Sequence, residues 1–194
     1  MTRHENNNEQ RKALELGSDI IGAMDKEFHD APDRVLAVVG AAYLDSLLEE
    51  LLRAIFVEGK QEANQLLDPD RPLGSNGARY QLAYCLGLIE KHQRDDLKMI
   101  SRIRNAFAHK YNVRSFEQEE ARNMLAKLHY GKEIDSIIAK LIQDTPDKDS
   151  KEHLRKIGQS GRKKFQDTVR NLFVSLLQKL DSVARPNKAT WYPK

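Results

Sequence analysis

Apolar residues recur along most of the chain at intervals of three and four positions, which is the period of an amphipathic α-helix. The clearest run begins at Val35 and makes a wide apolar stripe over about six turns. A stripe this wide predicts a helix that is buried on more than one side. Its apolar members are Val35, Leu36, Val38, Val39, Ala42, Tyr43, Leu47, Leu48, Leu51, Leu52, Ile55 and Phe56. Because no alternating stretch is long enough for a strand, the pattern predicts an all-α fold.

Further helices are predicted from the same periodicity and from the positions of glycine and proline. Pro32 is expected near the start of the long helix, with Asp30 as its N-cap. Two prolines and two glycines indicate a loop over residues 68–77, either a simple connector or a lid over a site. The other predicted helices cover residues 8–28, a short stretch ending at Leu67, then 78–89, 94–109, 117–128 and 134–142, with Gly131 separating the last two, and finally 161–183.

The chain is expected to form one main domain with a C-terminal addition. Residues 8–142 make the helical domain, and residues 143–160 are polar enough to predict a connector. The amphipathic helix over 161–183 must pack either on the same domain or on a partner chain, and residues 184–194 are expected to be a tail.

Composition adds a compartment and a charge asymmetry to this picture. The N-terminal residues are polar and lack the apolar segment of a signal peptide, and no apolar run reaches the roughly 18 residues of a membrane span. We therefore expect a cytoplasmic protein without a membrane partner. Residues 151–194 carry 11 Lys/Arg and 3 Asp/Glu, a net +8, whereas the preceding 150 residues are net −5. The basic segment either binds a polyanion or solvates the outer face of a helix.

Several kinds of site are not predicted. The six histidines are scattered without a second ligand at metal spacing, and the glycines at 74 and 77 lack the sequence context of a phosphate loop. We therefore expect neither a metal nor another cofactor. The single cysteine, Cys85, has apolar neighbours and is expected in the core.

One polar cluster stands out on the predicted helix over 94–109. Arg102, Asn105 and His109 fall on one face, and Arg104 lies on its flank. An arginine can hold a phosphate, a histidine can move a proton near neutral pH, and an amide can orient either group. The other explanation is that His109 and Lys110 complement the dipole at the end of the helix.

These residue types match the needs of metal-independent RNA cleavage. His109 would deprotonate the ribose 2′-hydroxyl, Arg104 would stabilise charge on the phosphate, and Asn105 would orient them. Arg102 and Lys110 would contribute phosphate or RNA contacts. Arg104 and His109 lie about 140° apart around one helix, so a single copy would spread them, whereas two copies facing across a two-fold axis could bring them together.

The run Arg104-Asn105-Ala106-Phe107-Ala108-His109 resembles the signature of the HEPN superfamily. Residues 66–68, 72–74, 78–79 and 82–89 are similar to the mannitol operon repressor (MltR-like) family, and this resemblance covers about 35–129. It implies a HEPN-like helical bundle, here with an additional C-terminal amphipathic helix, that often forms homodimers.

The resemblance also implies a negative regulator of gene expression. The sequence has no recognisable DNA-reading motif, so we expect it to act through a protein or RNA partner, as a homodimer, rather than by reading DNA. The alternatives are a metal-independent endoribonuclease using Arg104, Asn105 and His109, and a basic protein that binds polyanions.

Overall fold

The computed structural model describes residues 19–56 and 60–183, and these residues are helical with short connections. The all-α class predicted from the periodicity is confirmed, and no strand occurs in these two ranges. The helices are α1 (19–29), α2 (Asp33–Ile55), α3 (Lys60–Leu67), α4 (Asn76–Cys85), α5 (Lys91–His109), α6 (Glu119–Leu125), α7 (His129–Asp144), α8 (Lys148–Gln159) and α9 (Gly161–Val183). The predicted beginning of the first helix and the predicted tail over 184–194 lie outside the described residues.

The long helix α2 lies at the centre of the fold and packs against α4, α5 and α9. This position agrees with burial on more than one side, but Val35, Val38 and Ala42 of the predicted stripe are exposed. Gly40 allows α9 to approach closely, because a Cβ there would be 3.2 Å from the ring of Phe165. The helix α9 therefore packs on its own chain, through a buried face that contains Phe165, Val169, Leu172, Phe173 and Leu176.

Helix α5 presents one apolar face to this core and one polar face to solvent. It begins with a capping box between Glu90 and Gln93, which satisfies free N–H groups of the first turn. Its apolar side chains Leu97, Ile100, Ile103 and Phe107 are buried. They recur at intervals of three and four positions, the spacing of one face of a helix.

The polar segment over 143–160 is not simply a connector, because most of it forms helix α8. Asp147 starts this helix by accepting a hydrogen bond from the backbone N–H of Ser150 at 2.7 Å. None of its residues is fully buried, which explains its polar composition. It packs mainly along α7, where Gly158 allows close approach to Ile138.

Three local predictions are also wrong. Gly131 does not separate two helices but lies buried within α7, where a Cβ would be 3.1 Å from the side chain of Lys164. The helix predicted to reach residue 89 ends at Cys85, before the turn at Gly87 with a φ of 68°. Pro32, rather than Asp30, occupies the N-cap of α2, and its carbonyl accepts the N–H of Leu36.

Cys85 is exposed and is not a core residue. The buried residue of this part of α4 is Ala83, two positions earlier. Two positions correspond to about 200° around a helix, so Cys85 points to the opposite side.

A buried arginine fixes the loop that precedes α4. Arg79 is 5% exposed and donates to the carbonyl oxygens of Leu67 at 2.8 Å and Leu73 at 3.0 Å. Its guanidinium also pairs with Asp45 at 3.0 Å and Glu49 at 2.9 Å on α2. These contacts give the loop a structural role, that of joining α3 to α4 across α2.

No helix within the described residues is both long and apolar enough to cross a membrane.

Candidate functional site at the end of α5

The polar motif over 104–109 occupies the last turns of α5, and its apolar members anchor that end. The ring of Phe107 lies 4.7 Å from that of Phe116, which in turn stacks on Phe165 of α9 at 4.7 Å. Ala106 is also buried. The aromatic cluster fixes the end of α5 against α9 and orients the polar residues between these anchors.

The polar members of the motif are directed away from the core. Arg102, Asn105 and His109 are exposed, and Arg104 is half-buried on the flank. Within residues 19–56 and 60–183, none of these four side chains makes a hydrogen bond or an ion pair. Their polar groups are thus free to contact something outside the chain.

One copy of the chain does not join the proposed catalytic groups. Arg104 and His109 lie on different sides of α5, about 140° apart around its axis, and no hydrogen bond connects them in the described residues. His109 also has no described neighbour that would fix its tautomer, as a histidine base requires. A single copy therefore presents these residues without assembling them.

Lys110 differs from the other predicted phosphate-contacting residue. Its ammonium group pairs with the carboxylate of Glu120 at 2.5 Å, whereas Arg102 has no such partner in the described part of the chain. The charge of Lys110 is therefore partly compensated within the molecule.

The loop after α5 is held by side chains from two other elements. The Arg34 guanidinium of α2 donates to the carbonyl oxygens of Lys110 at 3.0 Å and Val113 at 3.2 Å. The Gln118 amide oxygen accepts the backbone N–H of Arg114 at 2.7 Å, and its amide nitrogen donates to Asn112 at 3.0 Å. The backbone of this loop is therefore fixed by hydrogen bonds to both Arg34 and Gln118.

Tyr111 projects from this loop with 83% of its surface exposed. The sequence analysis missed it, although it lies only two residues after His109. An exposed tyrosine beside a polar motif was the available signal. The order of this loop could not be predicted from the sequence, because Arg34, which holds the loop, is 77 positions away from Tyr111 in the chain.

The formally charged residues over 97–116 are all positive. This stretch contains Lys98, Arg102, Arg104, Lys110 and Arg114 and no aspartate or glutamate. We call its outward side chains the α5–loop surface: Lys98, Arg102, Arg104, Asn105, His109, Tyr111 and Arg114.

The basic residues of the C-terminal part of the chain are arranged differently. Arg162 pairs with Asp33 at 2.6 Å, Lys164 pairs with Asp135 at 2.7 Å, and Arg170 pairs with Asp25. Much of the positive charge of α9 thus compensates acidic groups of the preceding helices.

A second polar cluster lies where α5 and α7 both begin. The Asp96 carboxylate is 1% exposed and accepts the backbone N–H groups of His129 at 2.6 Å and Tyr130 at 3.0 Å. Burial raises the pKa of Asp96, and the two N–H groups oppose that shift. The rings of His92 and His129 lie 4.8 Å apart beside it.

This second cluster serves the fold. Asp96 supplies hydrogen bonds to the first turn of α7, which has no side-chain cap of its own. His92 and His129 each have a carboxylate near Nδ1, from Glu90 at 3.1 Å and Glu133 at 3.4 Å. Across the described ranges, no group of three or more His, Cys, Asp or Glu side chains could hold a metal ion.

Comparison with known proteins gives consistent matches. A family model described as mannitol repressor (MtlR) matches residues 28–182. The mannitol operon repressor of Escherichia coli K12 is 31% identical over 70 residues, which is 36% of this chain and 36% of that protein. The aligned stretch thus spans about a third of the length of this curated relative.

Two solved structures share the fold. The structure of the MtlR–HPr complex from Escherichia coli has a TM-score of 0.53 at 19% identity and covers 84% of this chain and 98% of that chain. A possible transcriptional regulator, YggD, from Shigella flexneri 2a has a TM-score of 0.54 at 13% identity and covers 86% and 97%. At these identities the likeness concerns the fold alone.

Proposed function

Because the chain belongs to the mannitol repressor family, we propose that it lowers the expression of target genes by binding a protein partner. In this proposal the chain does not read DNA sequence itself, since no helix-turn-helix or zinc-finger pattern is recognisable in it. The family match over residues 28–182 is the observation that carries the proposal.

Two further observations support a protein partner. The Escherichia coli relative with the same fold was solved in complex with HPr, so this fold can present a protein-binding surface. In this chain, the exposed side chains of Arg102, Asn105 and His109 have no partners of their own in the described residues. A surface of that kind is available for binding without disrupting the fold.

The test compares transcription in cells with DNA binding in solution. Deleting the gene from its host should raise a defined set of transcripts, and the wild-type gene should lower them again. The purified protein should bind DNA from upstream of those genes no more tightly than unrelated DNA of equal length in fluorescence anisotropy. Unchanged transcripts would refute a regulatory role, and tight preferential binding to the upstream DNA would refute action through a protein.

The intact order of Arg104, Asn105 and His109, together with the exposure of Asn105 and His109, favours a second candidate function. In it, the chain is a HEPN-type, metal-independent endoribonuclease in which two copies face each other and bring Arg104 of one copy near His109 of the other. His109 would accept the proton of the ribose 2′-hydroxyl, which DNA lacks. Arg104 would stabilise the phosphate as charge develops.

This second candidate is tested with purified protein and single-stranded RNA in EDTA. The enzyme predicts cleavage by the wild type, loss of cleavage in His109→Ala, and a dimer in size-exclusion chromatography. A binding module predicts intact RNA with both proteins and normal gene regulation by His109→Ala. Cleavage by both proteins would place the activity outside this motif.

A further inference from the structure

We propose that the α5–loop surface docks a compact acidic surface of the protein partner, with Tyr111 at the centre of the contact. The inference rests on the proposed function, because it names the chemistry of the partner and the face that binds it. It is carried by the charge, exposure and rigidity of this part of the molecule.

The basic side chains of the surface lie in a stretch of the chain, residues 97–116, that contains no aspartate or glutamate. Arg53, Arg79 and Arg94 each pair with a carboxylate, and so do Arg122, Arg155, Arg162 and Arg170. Lys98, Arg102, Arg104 and Arg114 have no carboxylate partner in the described residues. The face from Lys98 to His109 extends about 16 Å along α5. Acidic groups on a partner would compensate its positive charge.

Tyr111 has the properties of a binding anchor. Tyrosine, tryptophan and arginine are enriched at the energetically important centres of protein interfaces. A tyrosine buries a large area with only two side-chain torsions. Tyr111 is 83% exposed, which is unusual for a large side chain with no packing role. Its burial in an interface would add the apolar contribution that a purely charged contact lacks.

The loop that carries Tyr111 is already ordered for binding. Arg34, Asp33 and Gln118 fix its backbone, and the Arg114 guanidinium donates to the carbonyl oxygen of Tyr111 at 3.1 Å. Val113 and Phe116 anchor it in the core. A loop held in this way loses little conformational entropy on binding, so more of the contact energy appears as affinity.

The borders of the surface favour an acidic protein over a nucleic acid. Glu117, Glu119 and Glu120 follow directly at the start of α6, and Glu120 neutralises Lys110. A nucleic-acid strand needs a continuous basic path with several aromatic platforms for successive bases. A single tyrosine within a bounded basic area instead fits a discrete acidic patch.

The experiment uses the full chain and a named probe, a fluorescent random copolymer of glutamate and tyrosine, in anisotropy titrations over a range of salt. Lys98→Glu/Arg102→Glu should weaken binding at least about 10-fold, and Tyr111→Ala should weaken it several-fold. Both sites are exposed, so the variants should keep the thermal unfolding midpoint of the wild type. The matched control is Lys132→Glu/Lys140→Glu, which reverses two exposed charges on α7 and should bind as the wild type does.

Three results would overturn the inference. They are no binding of the copolymer by the wild type, an equal loss in the α7 control, or tighter binding of oligouridylate that the same variants abolish. The last result would assign the surface to single-stranded nucleic acid. Failure of the proposed function is distinguishable, because it would leave transcripts unchanged on gene deletion whatever the copolymer binding shows.

Discussion

At the scale of single residues, buried polar side chains connect parts of the chain that lie far apart in sequence. Arg79 reaches two loop carbonyls and two carboxylates of α2 while being almost fully enclosed. Asp96 of α5 similarly supports the start of α7. Neither role is visible in the sequence, because each depends on a partner that the fold brings near.

Arg79→Met should lower the free energy of unfolding by about 2–4 kcal/mol. Breaking a buried ion pair costs about 3–5 kcal/mol, and the cost is reduced here because Asp45 and Glu49 are partly exposed. Arg53→Met, which breaks a more exposed pair with Glu49, is the control and should cost about 1 kcal/mol or less. Urea unfolding of the three proteins measures this, and equal losses in both variants would contradict the structural role of Arg79.

The neighbours Asp95 and Asp96 should show opposite pH dependence. Burial raises the pKa of Asp96, so the folded state holds its proton more tightly and the stability it contributes is lost as pH rises above about 4. The hydrogen bond from Arg94 lowers the pKa of Asp95, so its contribution is lost as pH falls below about 4.

The measurement compares unfolding free energies of the wild type with those of Asp96→Asn and Asp95→Asn between pH 3 and 6. The difference, wild type minus variant, should fall with rising pH for Asp96→Asn and rise for Asp95→Asn. If this difference changes with pH in the same direction for both variants, the result contradicts the opposite pKa shifts of Asp95 and Asp96. The pH range is set by the ordinary aspartate pKa of about 3.9.

At the scale of elements, the quality of the sequence prediction follows the depth of burial. The apolar stripes of α2, α5 and α9 are wide and regular, so these helices were predicted within a few residues or, for α9, at its observed bounds. Helix α8 was missed because it buries no residue fully and its stability comes from the Asp147 cap and from packing on α7. The sequence pattern predicts no structure for the connection after α5, because the order of this connection depends on Arg34 and Gln118.

Gly161→Ala should destabilise the start of α9. A Cβ at this position would lie 2.6 Å from the carbonyl oxygen of Phe116, and backbone atoms cannot move away as a flexible side chain can. The expected cost is about 1–3 kcal/mol, typical of overpacking. Gly22→Ala in α1 meets nothing within 4 Å and should be neutral or raise stability by up to about 1 kcal/mol.

Thermal unfolding of both variants, at matched concentration, checks this prediction. A Gly161→Ala protein as stable as Gly22→Ala would mean that α9 does not begin against the backbone of Phe116. That result would also weaken the account of how α9 fixes the end of α5.

At the scale of the whole molecule, the basic residues of α9 and those near the end of α5 are arranged differently. The basic C-terminal part compensates acidic groups of α1, α2 and α7, whereas the α5–loop surface has positive charge to offer to another molecule. The choice of Arg102, Arg104, Asn105 and His109 as site residues stays a prediction, and the sequence pattern indicated neither Tyr111 nor the ordered loop. Membership of the mannitol repressor family supports the proposed regulatory role, and the α5–loop surface supports the proposed contact with an acidic partner.

The most direct test measures transcripts in the gene-deletion strain after complementation with the wild type, Lys98→Glu/Arg102→Glu, or the α7 control Lys132→Glu/Lys140→Glu. The account predicts that the wild type and the control lower the derepressed transcripts to the parental level and that the α5 variant, at equal protein abundance, does not. If the α5 variant restores repression fully, this surface does not dock the partner through which the chain regulates its targets.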